Sequence, residues 1–243
     1  MKPIGHVCAL TRYPVKSMAG APAESAFLGW HGLEGDRRFA FRRLDDHSGF
    51  PWLTASRVPE LLLYHPIDLD DRTFQPARVR TPAGLQLELL SAALENEIAH
   101  RYGSRVELMQ FRNGIFDDAT ISIINRTTIA TIGHEAGLEL DPRRFRPNIL
   151  LKTHAEEPFA EDRWLGGRLV FGEDETGPAV SVTAHDVRCM MVNLDPDTAR
   201  QDARVLKAVV GLNGNNAGVY GTVVKTGIIR VGQPVSLVLD ATP

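Results

Sequence analysis

The most informative segment of the chain reads Val180-Ser181-Val182-Thr183-Ala184-His185-Asp186-Val187-Arg188-Cys189-Met190-Met191-Val192. Its β-branched residues predict two short strands, Val180–Ala184 and Val187–Val192. Further short strands, separated by glycine and proline turns, are predicted on both sides of it. They are Ile4–Leu10, Ala26–Leu28, Arg38–Arg42, Leu61–Pro66, Leu85–Leu87, Val106–Phe111, Thr120–Ile124, Ile149–Lys152, Arg168–Phe171, Val219–Val224 and Val235–Leu239.

The sequence predicts few helices, and all of them are short. In the first of them, Ser91 can cap the helix and Gly103 can end it. The predicted helices are Ser91–Tyr102, 127–136 before Gly137, a single turn opened by Asp141-Pro142, and Ala203–Val210 closed by Gly211. Strands and helices do not alternate regularly, so a β-rich, barrel-like α+β fold is favoured over a βαβαβ winding.

Composition narrows the class of protein. Of 243 residues, 43% are hydrophobic and 23% charged, which is typical of a folded soluble protein and argues against disorder. The net charge of −3 argues against general nucleic-acid binding but leaves room for a local basic pocket. The longest uncharged run, Ala208–Val224, is too short and too rich in glycine for a membrane span, and no signal peptide is recognisable. We therefore expect a cytoplasmic protein without a membrane segment.

Cys189 is the first candidate for chemistry. A cation beside a cysteine favours the thiolate, which is the form that binds metals or acts as a nucleophile. Arg188 is adjacent in sequence but would point to the opposite face of a strand, whereas His185 would share the face of Cys189 if the strand were unbroken. The alternative is a buried cysteine that packs as a small hydrophobe. That alternative is the expectation for the second cysteine, Cys8, which lies in an apolar strand.

Basic residues beside turns form the second candidate feature. They are Lys16 with Ser17, Arg37 with Arg38, and Arg143, Arg144 and Arg146 before Pro147-Asn148. Guanidinium groups bind phosphate through paired hydrogen bonds, and lysine acts as a point charge. The three clusters could converge on one anion, or each could be a solvated turn. The pair Asp117-Asp118 could serve acid–base chemistry or could simply lie in a turn.

Five short motifs, taken in order, resemble a known family. They are Tyr13-Pro14-Val15-Lys16-Ser17, Gly32-Leu33-Glu34-Gly35-Asp36-Arg37-Arg38-Phe39, Arg144-Phe145-Arg146-Pro147-Asn148-Ile149, Arg188-Cys189 with Leu194-Asp195-Pro196-Asp197-Thr198, and Val231-Gly232-Gln233-Pro234-Val235. The chain resembles the MOSC-domain family, named for the C-terminal domain of molybdenum cofactor sulfurase, together with its N-terminal β-barrel domain. The functional relatives that this resemblance implies are the mitochondrial amidoxime-reducing component and its bacterial counterparts. This resemblance implies an N-terminal domain over residues 1–90 and a MOSC domain over residues 91–243.

The resemblance also implies a cofactor and the residues that hold it. The cofactor is a molybdenum ion carried by a phosphorylated pterin (molybdopterin), with no pyridoxal phosphate. Cys189 matches the catalytic cysteine that ligates the metal. The positions that match the cofactor-binding residues are Lys16, Ser17, Arg37, Asp118, Ala119, Thr120, Arg146, Asn148, Val187 and Arg188. Val192 and Asn193 depart from the family, which commonly has two threonines there.

The implied activity is reduction of a small N-hydroxylated or N-oxide substrate. No cysteine-rich iron–sulfur segment is present, so the electrons are expected from a separate partner that carries an iron–sulfur cluster, a haem or a flavin. Two alternatives remain at this point. One is a carrier of sulfur (as a persulfide on Cys189) or of mature molybdenum cofactor, without turnover. The other is a β-barrel interaction module that has lost its ligand.

Overall fold

The structure is a computed structural model that describes residues 1–239. Its strands are β1 (Lys2–Arg12), β2 (Ala21–Ala23), β3 (Ser25–Gly29), β4 (Gly32–Leu33), β5 (Phe39–Arg43), β6 (His65–Leu69), β7 (Pro76–Arg80), β8 (Gln86–Glu88), β9 (Val106–Gln110), β10 (Ile121–Asn125), β11 (Ile149–Thr153), β12 (Gly167–Phe171), β13 (Ala179–Val187), β14 (Asn216–Lys225), β15 (Gly227–Arg230) and β16 (Pro234–Leu239). The α-helices are α1 (Ala92–Tyr102), α2 (Arg126–Ala136) and α3 (Arg204–Asn213). Short 3₁₀ helices occupy Pro59–Leu63, Pro142–Phe145, Ala160–Trp164 and Met190–Asn193.

Seven strands close into a barrel in the order β11-β10-β14-β13-β12-β16-β1, and β1 pairs back to β11. The strand pairs in this ring are antiparallel except for β10 with β11, which run parallel. Closure satisfies the backbone groups of strands that would otherwise be edges. The predicted β-rich α+β fold with a barrel is therefore confirmed.

Successive residues of the barrel strands point alternately into the barrel and to its outer face. Ile123 and Leu151 belong to the apolar cluster inside the barrel, whereas their neighbours Ile124 and Leu150 pack with α2 and α3 on the outer face. This period of two is the consequence of side chains pointing to opposite faces of a strand. The two helices therefore shield one outer wall of the barrel.

A second cluster lies outside the barrel. Phe39 and Phe41 of β5 pack there with Leu94 and Ile98 of α1, and β5 pairs with β9. This cluster takes residues from both sides of position 90, and β1 belongs to the barrel. The division into domains 1–90 and 91–243 stays a prediction.

The ends of the first two helices follow their sequence signals. Ser91 Oγ accepts a hydrogen bond from Leu94 N at 3.2 Å, and Gly103 ends α1 with a φ of 84°. Gly137 ends α2 in the same left-handed conformation, with a φ of 65°. Glycine adopts this region without the steric penalty of a Cβ atom. Both predicted stops are confirmed.

Three predicted elements are wrong in part. Leu61–Pro66 is not one strand, because Pro59 starts a 3₁₀ helix that ends at Leu63, and β6 begins at His65. Val187–Val192 is not a strand, because β13 ends at Val187 and Met190–Asn193 coils into a 3₁₀ turn. Gly211 does not close α3, which continues to Asn213 before Gly214 turns left-handed. A single glycine costs a helix only about 1 kcal/mol, so flanking residues can carry the helix past it.

Within residues 1–239 we find no helix that is both long enough and apolar enough to cross a bilayer.

Glu161 ties the 3₁₀ helix Ala160–Trp164 to the start of α2. Its carboxyl group accepts hydrogen bonds from Asn125 N at 3.2 Å and from Thr128 Oγ1 at 2.9 Å. The side chain is fully buried, and this burial raises the pKa of Glu161 to about 7. A proton is therefore held more tightly in the folded chain than in the unfolded one.

We predict that Glu161 makes stability fall as pH rises. The contribution of its bound proton is fully present below the unfolded pKa of 4.5 and is lost as pH rises through about 7, a change of about 3 kcal/mol in unfolding free energy. Glu161→Gln should remove that dependence, because an amide does not titrate. Urea unfolding at pH 5, 6, 7 and 8 tests this. A parent and a variant with parallel pH profiles would contradict it.

Candidate functional site

A cavity of about 370 Å³ opens where the barrel meets the second cluster. The predicted site residues that line it are Lys16, Ser17, Arg37, Asp118, Arg146, Val187, Arg188 and Cys189. Other lining residues are Phe50, Thr54, Ser56, Asp117, Ser122, Arg144, Phe145, Asp186, Met191, Val192 and Tyr220. Segments that are far apart in sequence therefore contribute their polar side chains to one space.

Buried backbone contacts place the N-terminal cations at the cavity. Val15 is fully buried and bridges to Phe39, and Lys16 N donates to Phe39 O at 2.8 Å. Ser17 has a φ of 66°, Arg37 a φ of 48°, and Arg146 a φ of 51°. A non-glycine residue in this left-handed region costs on the order of 1 kcal/mol or more, and such strain clusters at functional sites. Three of the nine non-glycine residues with positive φ between residues 1 and 239 therefore line this one cavity.

Arg146 is a half-buried cation that has no carboxylate partner among residues 1–239. Its Nη1 donates to Met18 O at 2.8 Å, and its Cζ lies 4.2 Å from the centre of the Tyr13 ring. Burial, with a further contribution from the nearby Arg37, lowers the pKa of Arg146 to about 10. Among residues 1–239, Arg146 forms no ion pair. An anion entering the cavity would supply the missing negative charge.

Arg37, in contrast, already has a carboxylate partner. Its Nη1 pairs with Asp36 Oδ2, and Asp36 Oδ1 accepts from Tyr13 N at 2.6 Å. Burial by itself lowers the pKa of Arg37, but the Asp36 carboxylate more than offsets this and the pKa is raised. The Tyr13 ring lies near both guanidinium groups, with the Cζ of Arg37 at 5.2 Å from the ring centre. The ion pair with Asp36 thus holds the Arg37 guanidinium in place.

Asn148 lies behind Arg37 and is absent from the residues that line the cavity. Its Oδ1 accepts from Arg37 Nη1 at 3.3 Å and from Ser122 N at 3.1 Å, and its Nδ2 donates to Thr11 O at 3.2 Å. Ala119 and Thr120 also lie outside the lining. The contribution of these three residues to cofactor binding stays a prediction.

Arg188 points into the protein, away from the thiol next to it. Its Nε donates to Ala217 O at 2.6 Å, its Nη1 donates to Phe145 O at 2.8 Å, and its Nη2 lies 2.7 Å from Asp186 Oδ2. Burial raises the pKa of Asp186, while Arg188 and the hydroxyl of Ser122 oppose that rise. Arg188 therefore fastens the end of β13 both to β14 and to the turn that carries Arg146.

Cys189 is exposed at the cavity edge, whereas Cys8 is half-buried against the cluster that holds α2 and α3. The expectation that His185 shares the face of Cys189 is wrong, because it required an unbroken strand. The pairing of β13 shifts between His185 and Val187, and the strand then ends. His185 Nδ1 lies 3.3 Å from Asp162 Oδ1 and His185 is absent from the cavity lining.

The two departures from the family pattern differ in position. Val192 lines the cavity, whereas Asn193 is buried and accepts from Leu206 N at 2.8 Å through Oδ1. Arg144 holds the same turn, since its Nη1 donates to Asn193 O at 3.0 Å and its Nη2 lies 2.8 Å from Asp195 Oδ2. Asn193 thus attaches α3 to the turn after Cys189.

Sequence reasoning missed several lining residues. Thr54 and Ser56 belong to no motif, and only the fold brings them to the cavity. Ser122 and Tyr220 occupy positions in β10 and β14 that pair with each other across the sheet. Asp186 did carry a signal, because it stands three positions before Cys189 in the stretch already singled out.

No group of three or more His, Cys, Asp or Glu side chains between residues 1 and 239 is placed to hold a metal ion. A metal at Cys189 would therefore take its other ligands from a bound molecule. One thiol ligand for the metal, with several cations beside it for the chelator's negative charge, is the arrangement expected for a metal that is bound together with an anionic chelator.

Comparison with known proteins identifies the family. The family model for the MOSC domain matches residues 96–236, more than half of the chain. The protein belongs to the MOSC domain family.

One protein similar in sequence and one solved structure similar in fold illustrate the range of similarity to this chain. Mitochondrial amidoxime reducing component 2 of Rattus norvegicus is 27% identical over 152 residues, an alignment that covers 57% of this chain and 43% of the rat protein. The match therefore spans less than half the length of that relative. The crystal structure of the YuaD protein from Bacillus subtilis has a TM-score of 0.53 at 14% identity and covers 98% of this chain and 97% of that one. This second likeness supports the fold alone.

We predict that Arg188→Ala destabilises the protein by about 3–5 kcal/mol, because it leaves Asp186 as an unpaired buried charge and two carbonyl groups without donors. Urea unfolding measures the loss. Arg204→Ala is the control, since it breaks an exposed pair with Asp202, and its effect should be much smaller. Similar losses for the two variants would mean that Arg188 does not fasten β13.

Proposed function

We propose that the cavity binds a molybdenum cofactor and that the protein is an oxidoreductase that reduces N-hydroxylated or N-oxide compounds. The observation that carries the proposal is the exposed thiol of Cys189 at the edge of a cavity that also holds the guanidinium of Arg146, which pairs with no carboxylate of residues 1–239. The name of the rat relative supports the reduction of amidoximes, which are N-hydroxylated compounds, and membership of the MOSC domain family supports the cofactor.

The residues present fit this cofactor. A soft thiolate suits molybdenum, and a phosphate suits a half-buried arginine that has no carboxylate partner in the described part of the chain. Cys189 would be the protein's metal ligand. Lys16, Ser17, Arg37 and Arg146 would hold the phosphate and pterin, with Asp118 and Val187 beside them. Asn148 would act from behind, through its hydrogen bond to Arg37.

A bound molybdenum cofactor supplies two-electron oxygen-atom transfer. The chain itself would hold and orient the reacting groups. Arg188 and Arg144 fix the backbone on either side of Cys189 by binding the carbonyl groups of Phe145 and Asn193. Thr54 and Ser56 add hydroxyl groups to the cavity lining, where a polar N-hydroxylated substrate could be hydrogen-bonded. Electrons would come from a separate iron–sulfur, haem or flavin protein.

The exposure of Cys189 also favours a second candidate, a carrier of sulfur or of mature cofactor without turnover. A persulfide needs an accessible thiol, and the same cations would serve a delivered cofactor. Mass spectrometry of the purified thiol together with metal analysis separates the two functions. Persulfide without molybdenum supports the carrier, whereas molybdenum with hydroxylamine reduction supports the oxidoreductase.

We predict that Cys189→Ser abolishes molybdenum content and hydroxylamine reduction when the protein is made in a host that synthesises the cofactor. The fold should persist, because Cys189 is exposed. Cys8→Ser is the matched control and should leave metal and activity close to the parent. Metal analysis, a reduction assay and circular dichroism give the three readouts. Equal losses in the two variants would overturn the assignment of Cys189.

We further predict that Arg146→Ala lowers cofactor retention about 10- to 100-fold, since a charge-assisted hydrogen bond is worth about 1.5–3 kcal/mol. Arg143→Ala is the control, because Arg143 lies in the same turn but pairs outward with Asp141 and Asp197. Molybdenum per chain after gel filtration measures retention. A metal content equal to that of the parent would show that Arg146 does not hold the cofactor.

A further inference from the structure

Lys16 and Asp117 form an ion pair across the cavity mouth. Lys16 Nζ lies 2.6 Å from Asp117 Oδ1. The two side chains differ in burial, since that of Lys16 is 7% exposed and that of Asp117 is 59% exposed. Lys16 is thus part of the cavity wall, whereas Asp117 reaches it from the surface.

Asp117 belongs to the loop between β9 and β10 and lines the cavity. The loop is attached upstream, where Phe111 N donates to Arg38 O at 2.7 Å and Ile115 N donates to Arg37 O at 2.9 Å. Phe116 lies near Arg37, with its ring centre 5.9 Å from the Cζ atom. The Asp117 carboxylate, through its bond to Lys16, adds a polar side-chain contact between residues 112–118 and the cavity wall. Release of Asp117 would free this end of the loop.

The positive charges around Lys16 explain why the Asp117 carboxylate lies beside its ammonium group. Burial lowers the pKa of Lys16, Asp117 opposes this, and the cations Arg37 and Arg146 lower it further. Asp117 therefore offsets part of an uncompensated positive charge. An anionic ligand would offset the same charge, and two anions on one ammonium group would repel each other.

We propose that Asp117 is an internal competitor for the anion that the cavity binds. Its carboxylate occupies the position on Lys16 that a phosphate group of the ligand would take, and binding of a phosphorylated ligand displaces it together with residues 112–118. The proposal rests on the proposed function in one respect, which is that the ligand carries a phosphate. It adds that affinity for the ligand is set partly by the chain's own carboxylate.

Inorganic phosphate, titrated calorimetrically into cofactor-free protein, tests the competition. Asp117→Asn and Asp117→Ala should bind phosphate about 5- to 20-fold more tightly than the parent. Glu107→Gln changes the net charge equally on β9, the strand before this loop, but Glu107 is exposed, lies outside the cavity lining and forms no ion pair that the structure shows, so this variant should improve binding less than twofold. In a Lys16→Gln background, Asp117→Asn should give no improvement, because the competed group is gone.

Hydrogen–deuterium exchange tests the displacement. Phosphate should increase deuterium uptake at residues 112–118 in the parent, whereas Asp117→Asn should show the higher uptake before phosphate is added. Unchanged uptake in the parent at saturating phosphate would overturn the proposal.

The outcomes separate this inference from the proposed function. Parent and Asp117→Asn that bind phosphate equally, with binding lost in Arg146→Ala, would overturn the competitor role and leave the anion site in place. An equal gain from Glu107→Gln would overturn it as well, because charge alone would then explain the effect. Phosphate binding to none of the proteins would overturn both the competitor and the anion site.

Discussion

The site depends on one buried guanidinium. Arg188 binds the carbonyl groups of Phe145 and Ala217 and pairs with Asp186, so a single side chain holds the end of β13, the strand β14 and the turn before Arg146. Because these bonds are made inside the protein, removing them would leave buried polar groups without partners. Cys189 and Arg146, which reach the cavity from different elements, are held at fixed positions by this contact.

The cavity itself is electrostatically incomplete. Arg37 has the buried Asp36 as its partner, and Lys16 has the exposed Asp117. Within the part of the chain that the structure describes, Arg146 contacts a carbonyl group and an aromatic ring but no carboxylate. Charges that are buried and unpaired are costly, so a fold that keeps them gains by binding an anion. The three cations thus differ in how completely their charge is compensated. The least compensated, Arg146, also has a strained backbone and is the proposed phosphate ligand, whereas Lys16 keeps the proposed competing carboxylate.

Local signals in the sequence were reliable where a short-range interaction decides the outcome. Ser91 caps α1 and Gly103 ends it, because capping involves residues only a few positions apart. The local signals were unreliable at Val187–Val192, where β-branched residues predict a strand but the chain forms a 3₁₀ turn after Cys189. There the side chain of Asn193 binds the backbone of α3, and that contact is made in the tertiary structure.

Residue types and short spacings were enough to predict the β-rich class of the fold, both ends of α1, the C-terminal end of α2, and Cys189 and the cations as candidate site residues. The folded chain was needed to show that Lys16, Arg37 and Arg146 line one cavity, that Asn148 binds Arg37 from outside that lining, that His185 lies near Asp162, and that Asp117 pairs with Lys16. Barrel closure sets these distances, and it joins strands separated by more than a hundred residues.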